Sequence, residues 1–122
     1  MAFDITIKKD SEISQSEWIL FVNNNDSFIW LENLPNDKIY NTEGVKIQPN
    51  RFALWFSNLQ NAIADLAFYL DSSGEITFGL GEDFFLLQKI IDVAKQLGGY
   101  VEADDGTIIN EVADANKIDF GE

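Results

Sequence analysis

The stretch Glu82-Asp83-Phe84-Phe85-Leu86-Leu87-Gln88-Lys89-Ile90-Ile91-Asp92-Val93-Ala94-Lys95-Gln96-Leu97-Gly98-Gly99-Tyr100-Val101-Glu102-Ala103-Asp104-Asp105-Gly106-Thr107-Ile108-Ile109-Asn110 decides the fold. Leu87, Ile90, Ile91, Ala94 and Leu97 recur at helical spacing, with Gln88, Lys89, Asp92, Lys95 and Gln96 on the opposite side. Glu82 and Asp83 fall in the first turn, where the helix dipole favours negative charge. Gly98-Gly99 stops the helix, because glycine takes the left-handed cap conformation at no steric cost. Tyr100 to Ala103 then reads as a strand, Asp104-Asp105-Gly106 as a tight turn and Thr107 to Asn110 as a returning strand.

A matching unit opens the chain. Phe3, Ile5 and Ile7 alternate with Asp4, Thr6 and Lys8, the period of a half-buried strand. Ser14 and Glu17 fit a capping box, and Ile13 with Trp18 has the spacing of a hydrophobic staple. A helix from Gln15 to Asn23 follows, then a strand at Phe28-Ile29-Trp30-Leu31. Residues 33–50 are polar, hold both prolines and read as loop.

Further strands are expected over Arg51 to Ser57, Leu66 to Leu70 and Glu75 to Leu80, the last two joined as a hairpin by Asp71-Ser72-Ser73-Gly74. In the first of these, Phe52, Leu54 and Phe56 alternate with Ala53 and Trp55; Trp30 and Trp55 are expected in the core. Asn58 to Ala64 is either a turn or one helical turn. Two strand–helix–strand units predict an α+β fold: an antiparallel sheet with two helices on one face, a split βαβ (ferredoxin-like) layer with extra strands inserted between the halves. A rival is a differently ordered α+β sheet. The 122 residues read as one domain, and 111–122 as a tail that either docks through Ile118 and Phe120 or stays disordered.

Charge narrows the function classes. Eight Lys plus Arg face 21 Asp plus Glu, a net −13, with −3 in residues 1–61 and −10 in residues 62–122. Nucleic acid and anionic membranes carry the same sign, so neither is expected as a partner. A basic protein is the partner such a field suits, and a solvated acidic surface is the plainer reading. No basic leader with an apolar core is present, and no apolar run approaches the ~20 residues of a membrane span, which places the chain in the cytoplasm.

With no His and no Cys, the chain lacks thiolate nucleophiles, imidazole bases, Cys/His zinc sites and disulfides. The adjacent acids Asp104-Asp105 and Glu82-Asp83 are explained by a turn and a helix start, so no catalytic residue is assigned and the chain is read as a non-enzyme. Asp104-Asp105-Gly106 lacks the alternating acids and distant glutamate of a calcium loop; Gly79-Leu80-Gly81 lacks the lysine of a phosphate loop. No metal or cofactor is expected.

Phe85 falls on the polar side of the helical wheel. It is either an aromatic anchor beside Glu82, Asp83 and Asp92, or a first-turn residue packed on a loop. The candidate partner-binding set is Tyr40, Glu82, Asp83, Phe85, Asp92, Glu102, Asp104 and Asp105. The alternative is a non-enzymatic module that binds or self-associates through a sheet edge or the Phe85 face; a homodimer is therefore the second partner considered.

Several of these residues carry a resemblance. Phe68-Tyr69-Leu70, Gly74-Glu75-Ile76, Leu87-Gln88-Lys89-Ile90, Val93-Ala94-Lys95-Gln96-Leu97-Gly98 and Val101-Glu102-Ala103-Asp104-Asp105-Gly106 resemble, in order, a widespread bacterial family of small acidic α+β proteins. Ile13-Ser14-Gln15-Ser16-Glu17-Trp18 is similar to that family's helix opening. The resemblance covers residues 3–32 and 66–109. Ile90 stands where the family has Met, Gly99 where it has Ala, Ala103 where it has Gly, and Glu82-Asp83 where it has Pro-Asp. Every matched residue is a cap, a turn or a core position. The resemblance implies an immunity protein that binds and blocks a bacterial toxin domain.

Overall fold

Ile5 and Ile7 are fully buried, while Thr6 and Lys8, which alternate with them, are only half-buried, and this alternation makes β1 (Asp4–Lys8). The computed structural model describes residues 4–44, 46–79 and 84–117. The chain divides into two compact units: one is the continuous segment Ser14–Leu70, the other combines the residues up to Ile13 with those from Asp71 onward.

In the two-part unit, β1 lies between β5 (Ile76–Gly79) and β6 (Tyr100–Ala103), antiparallel to both, and β7 (Ile108–Ile109) follows on the far side of β6. β5 and β6 therefore run the same way, joined through α2 (Phe84–Gln96), with β1 inserted between them. That is a split βαβ arrangement. Ile5, Ile7, Ile76, Phe78, Val101, Ala103 and Ile109 are buried, as are Leu87, Ile90, Ile91, Ala94 and Leu97 of α2, which lies against β1 and β6. Burying one such aliphatic side chain stabilises by about 1.5–3 kcal/mol. Val93 is buried too, so the apolar stripe is wider than the sequence periodicity marks; a 3-10 turn (Val112–Lys117) rests on the same helix and on β7.

The helix ends where Gly98-Gly99 predicts. The Gly99 N–H donates to the Ala94 carbonyl at 2.8 Å and the Gly98 N–H to Lys95 at 3.1 Å, the paired bonds of a Schellman cap. Gly98 has φ +77°, and a Cβ on Gly99 would meet the Lys8 carbonyl oxygen at 2.2 Å. One glycine is required by conformation, the other by the close approach of β1.

In the continuous unit, α1 (Gln15–Asn23) begins as the capping box predicts. Ser14 Oγ accepts from the Glu17 N–H at 3.1 Å, and Glu17 Oε1 accepts from the Ser14 N–H at 3.2 Å. β2 (Phe28–Trp30), β3 (Phe52–Trp55) and β4 (Leu66–Tyr69) form an antiparallel sheet in that order. Ala53, Leu54, Trp55 and Phe56 are all buried, so β3 is covered on both faces. Trp18 of α1 packs edge-on against Phe28 and Trp30, at 6.4 and 6.3 Å between ring centres, with Phe68 at 6.2 Å. Leu54 and Phe56 join Leu31 in a separate cluster against which Ile29, Leu34, Tyr40 and Phe52 pack.

The fold is α+β, with a different layering from that expected. Among the described residues there are two sheets, not one, and each unit carries one helix. β2 does not return beside β1, because β5 and β6 already occupy both edges of β1. Phe28 and Trp30 instead meet α1 while Ile29 faces the other cluster, so β2 needs a sheet covered on both sides. The expected β4–β5 hairpin is likewise absent. The Asp71–Gly74 turn forms, with Asp71 Oδ1 accepting from Ser73 and Glu75 N–H, and the Asp71 N–H donates to the Glu75 carbonyl. One residue earlier, the Leu70 N–H is committed to Arg51, so β4 belongs to β3 and the ladder stops. Residues 58–61 form a turn, resolving the two readings of that segment.

Candidate interaction surfaces

The acids concentrate on one unit. Its two stretches of sequence hold fifteen of the 21 acids and five of the eight bases, net −10, against −3 for Ser14–Leu70. On a sheet, alternate residues face opposite ways, so the residues between Val101, Ala103 and their buried neighbours point away from α2. Glu102 stands on that outward face opposite Thr6, whose hydroxyl lies 3.1 Å from that of Thr77.

Lys8 Nζ donates to Glu102 Oε2 at 2.7 Å, an ion pair about two-thirds screened from water. That hydrogen bond holds the Lys8 ammonium above the ordinary lysine value of 10.5, against the downward pull of burial, with the charges of Glu102 and Glu75 adding to the rise.

The β6–β7 turn places the next two acids. Asp104 is exposed, and its Oδ2 accepts from the Asp4 N–H at 3.4 Å while its own N–H donates to the Asp4 carbonyl. Asp105 is exposed and accepts from the Thr107 N–H at 2.9 Å, closing the turn through its side chain. Glu102, Asp104 and Asp105 thus share one hairpin, joined by exposed Asp4 of β1. Asp4 is absent from the set read off the sequence; its signal was the outward position on β1, which gains meaning only once β1 is known to pair with β6.

The other candidates lie elsewhere. Asp92 is exposed on α2, accepts from Gln88 Nε2 at 3.0 Å, and sits on the opposite side of the unit from Glu102. Burial pulls the neighbouring Lys89 ammonium below the ordinary value, with Asp92 opposing the fall. Tyr40 belongs to the other unit, half-buried with its ring 6.1 Å from Phe52 and packed on the Leu31–Leu54–Phe56 cluster. Glu82 and Asp83 lie outside the described residues, as does the side chain of Phe85. No group of three or more acids placed to hold a metal ion occurs among the described residues. No described helix is long and apolar enough to cross a membrane.

Sequence reasoning also missed Lys38, which is buried although it carries a charge. Its Nζ donates to the Leu59 and Asn61 carbonyls, the latter at 2.6 Å, and stands 4.9 Å from the centre of the Phe56 ring. Beside it, Ile39 and Ile63 are paired across a parallel backbone bridge with their side chains exposed. A lysine in a polar loop gave no cue to burial, because the turn that receives it is twenty residues downstream.

These features define a small acidic α+β protein with a hydrogen-bonded, carboxylate-bearing hairpin on one unit. No protein-family model, curated protein or solved structure matches the chain.

Proposed function

We propose that the chain is an immunity-type binding protein, not an enzyme, that occludes a basic bacterial toxin domain in the cytoplasm. The observation that carries this reading is the hairpin Glu102–Asp104–Asp105 with Asp4 beside it: the Asp104 and Asp105 carboxylates are held by backbone N–H groups and that of Glu102 by Lys8, on the unit that holds −10 of the −13 charge. Preorganised acids lose little side-chain entropy on binding and steer a cationic partner from a distance. A nuclease whose basic cleft receives phosphates is one target that such an array would fill. The resemblance of the helix opening and the Val101–Gly106 segment to small acidic immunity proteins supports the same reading.

The test is binding of an inactivated toxin domain encoded beside the gene, followed by calorimetry at about 50 and about 500 mM salt. One-to-one binding that weakens as salt rises is expected. The Asp104→Lys, Asp105→Lys double variant is expected to lose at least about tenfold in affinity with its circular dichroism unchanged. Undiminished affinity in that folded variant would remove the hairpin from the interface.

A further inference from the structure

Asp105-Gly106 is the one place in the sequence where an aspartate is followed by glycine, and no asparagine is followed by one. The other eleven of the twelve aspartates precede residues that carry a side chain. The difference bears on a reaction open to any aspartate, closure of a five-membered ring between its carboxyl carbon and the next peptide nitrogen. Glycine in the following position has no Cβ to crowd that nitrogen.

The turn brings the reacting groups together. Asp105 Oδ1 accepts from the Thr107 N–H at 2.9 Å, two residues on, which lays the side chain back along the Gly106 peptide. Groups held side by side in this way react as though at very high concentration. The tip of the turn is also open. Asp104, Asp105 and Gly106 are all exposed, and a Cβ on Gly106 (φ +89°) would meet nothing within 4 Å. One bond opposes the attack: the Gly106 N–H donates to the Ala103 carbonyl at 2.9 Å, so the nitrogen reacts when that bond opens. Local opening ranges from near zero free energy at exposed turns to the global value in core strands, and this bond lies at the exposed end.

We propose that Asp105-Gly106 is a site of spontaneous covalent modification, at which the folded chain converts aspartate to isoaspartate. The Gly106 nitrogen attacks Cγ of the protonated Asp105 carboxyl. The N–Cγ bond forms, and the carboxyl's hydroxyl leaves with the amide proton as water. A water molecule then adds to the ring at the former main-chain carbonyl of Asp105. The bond from that carbonyl carbon to the Gly106 nitrogen breaks, the nitrogen recovers a proton, and the carbonyl becomes a free carboxyl group. Nothing is oxidised or reduced, and the composition of the chain is unchanged. Its backbone now runs through Cβ and Cγ.

The product cannot rebuild the same turn. The main chain is longer by one carbon between residues 105 and 106, and the carboxylate sits directly on Cα. The Thr107 N–H loses the acceptor that the Asp105 side chain supplied, next to the bond from the Ala103 N–H to the Thr107 carbonyl. Asp71 is a control that the fold itself supplies. Its Oδ1 also accepts from the N–H two residues on, that of Ser73 at 2.8 Å, but the residue that follows it is Ser72. The two side chains share this geometry, and their neighbours differ.

Peptide mapping of the full chain, held for weeks in neutral buffer, tests the proposal, with electron-transfer fragmentation to tell isoaspartate from aspartate. Isoaspartate is expected to accumulate at residue 105, to a level several-fold above that at Asp71. In the unaged protein, the Gly106 amide is expected to show a lower hydrogen-exchange protection factor than the Val101 amide of β6. A folded chain that keeps aspartate at residue 105, or that gains isoaspartate equally at residues 71 and 105, would overturn the proposal. No partner enters this measurement, so its result is independent of the toxin-binding experiment.

Discussion

Lys38 shows how one side chain can set the shape of a segment far from it in sequence. Its three N–H groups face two carbonyls and a ring, all from residues 56–61. Replacing it by Met keeps the stem and removes the donors, leaving both carbonyls without that partner. Lys38→Met is expected to cost about 1–3 kcal/mol in urea unfolding and to raise hydrogen exchange locally over residues 58–62. Gly99 makes the opposite argument, from space. Gly99→Ala sets a methyl group against the Lys8 carbonyl, and a loss of about 1–3 kcal/mol is expected by the same measurement. Gly99 was legible in the sequence as a helix stop; that it also admits β1 was not, since that role depends on a neighbour ninety residues away in the chain.

At the scale of elements, what was written locally was readable. The Ser14–Glu17 box, the α2 stripe and the Asp104–Gly106 turn each rest on residues a few positions apart, and each forms where expected. Pairing partners were not readable. Asp71-Ser72-Ser73-Gly74 has every feature of a hairpin turn and forms one, yet its flanking strands enter different sheets. Competition for edges decided that outcome: β3 offers β4 a four-residue register and β1 offers β5 another.

The β1–β6 pair also carries a pH-dependent element, the Lys8–Glu102 bridge. Lys8 binds its proton more tightly when folded, so the bridge stabilises fully below the ordinary lysine value and is lost as pH rises through the higher folded value. In Glu102→Gln the Lys8 side-chain resonance in an NMR titration is expected to move back towards 10.5, and the stability difference between the two proteins to shrink above that pH. An unchanged Lys8 titration would show that another group sets its affinity for the proton.

For the whole molecule, composition tells the sign of the charge but not its division. Halving the chain at residue 61 yields −3 and −10, and the two compact units yield the same split along a quite different boundary. The acidic set was legible in part: Glu102, Asp104 and Asp105 share a hairpin, whereas Asp92 lies across the unit and Tyr40 belongs to the other one. A list of acids carries no register, and register is what brought Asp4 to Asp104.

β1 sits between strands that come much later in the chain: Ile7 is registered against Ile76 on one edge and Val101 on the other. During synthesis, then, β1 leaves the ribosome long before the strands that flank it and is among the last to find its neighbours. The segment Ser14–Leu70 has all three strands of its own sheet in hand long before that. Ile5 and Ile7 are thus carried through translation as an unsealed apolar thread, and the Lys8-Lys9-Asp10 cluster behind them, with Asp4 ahead, is the charge that accompanies that thread until Val101 and Ala103 arrive.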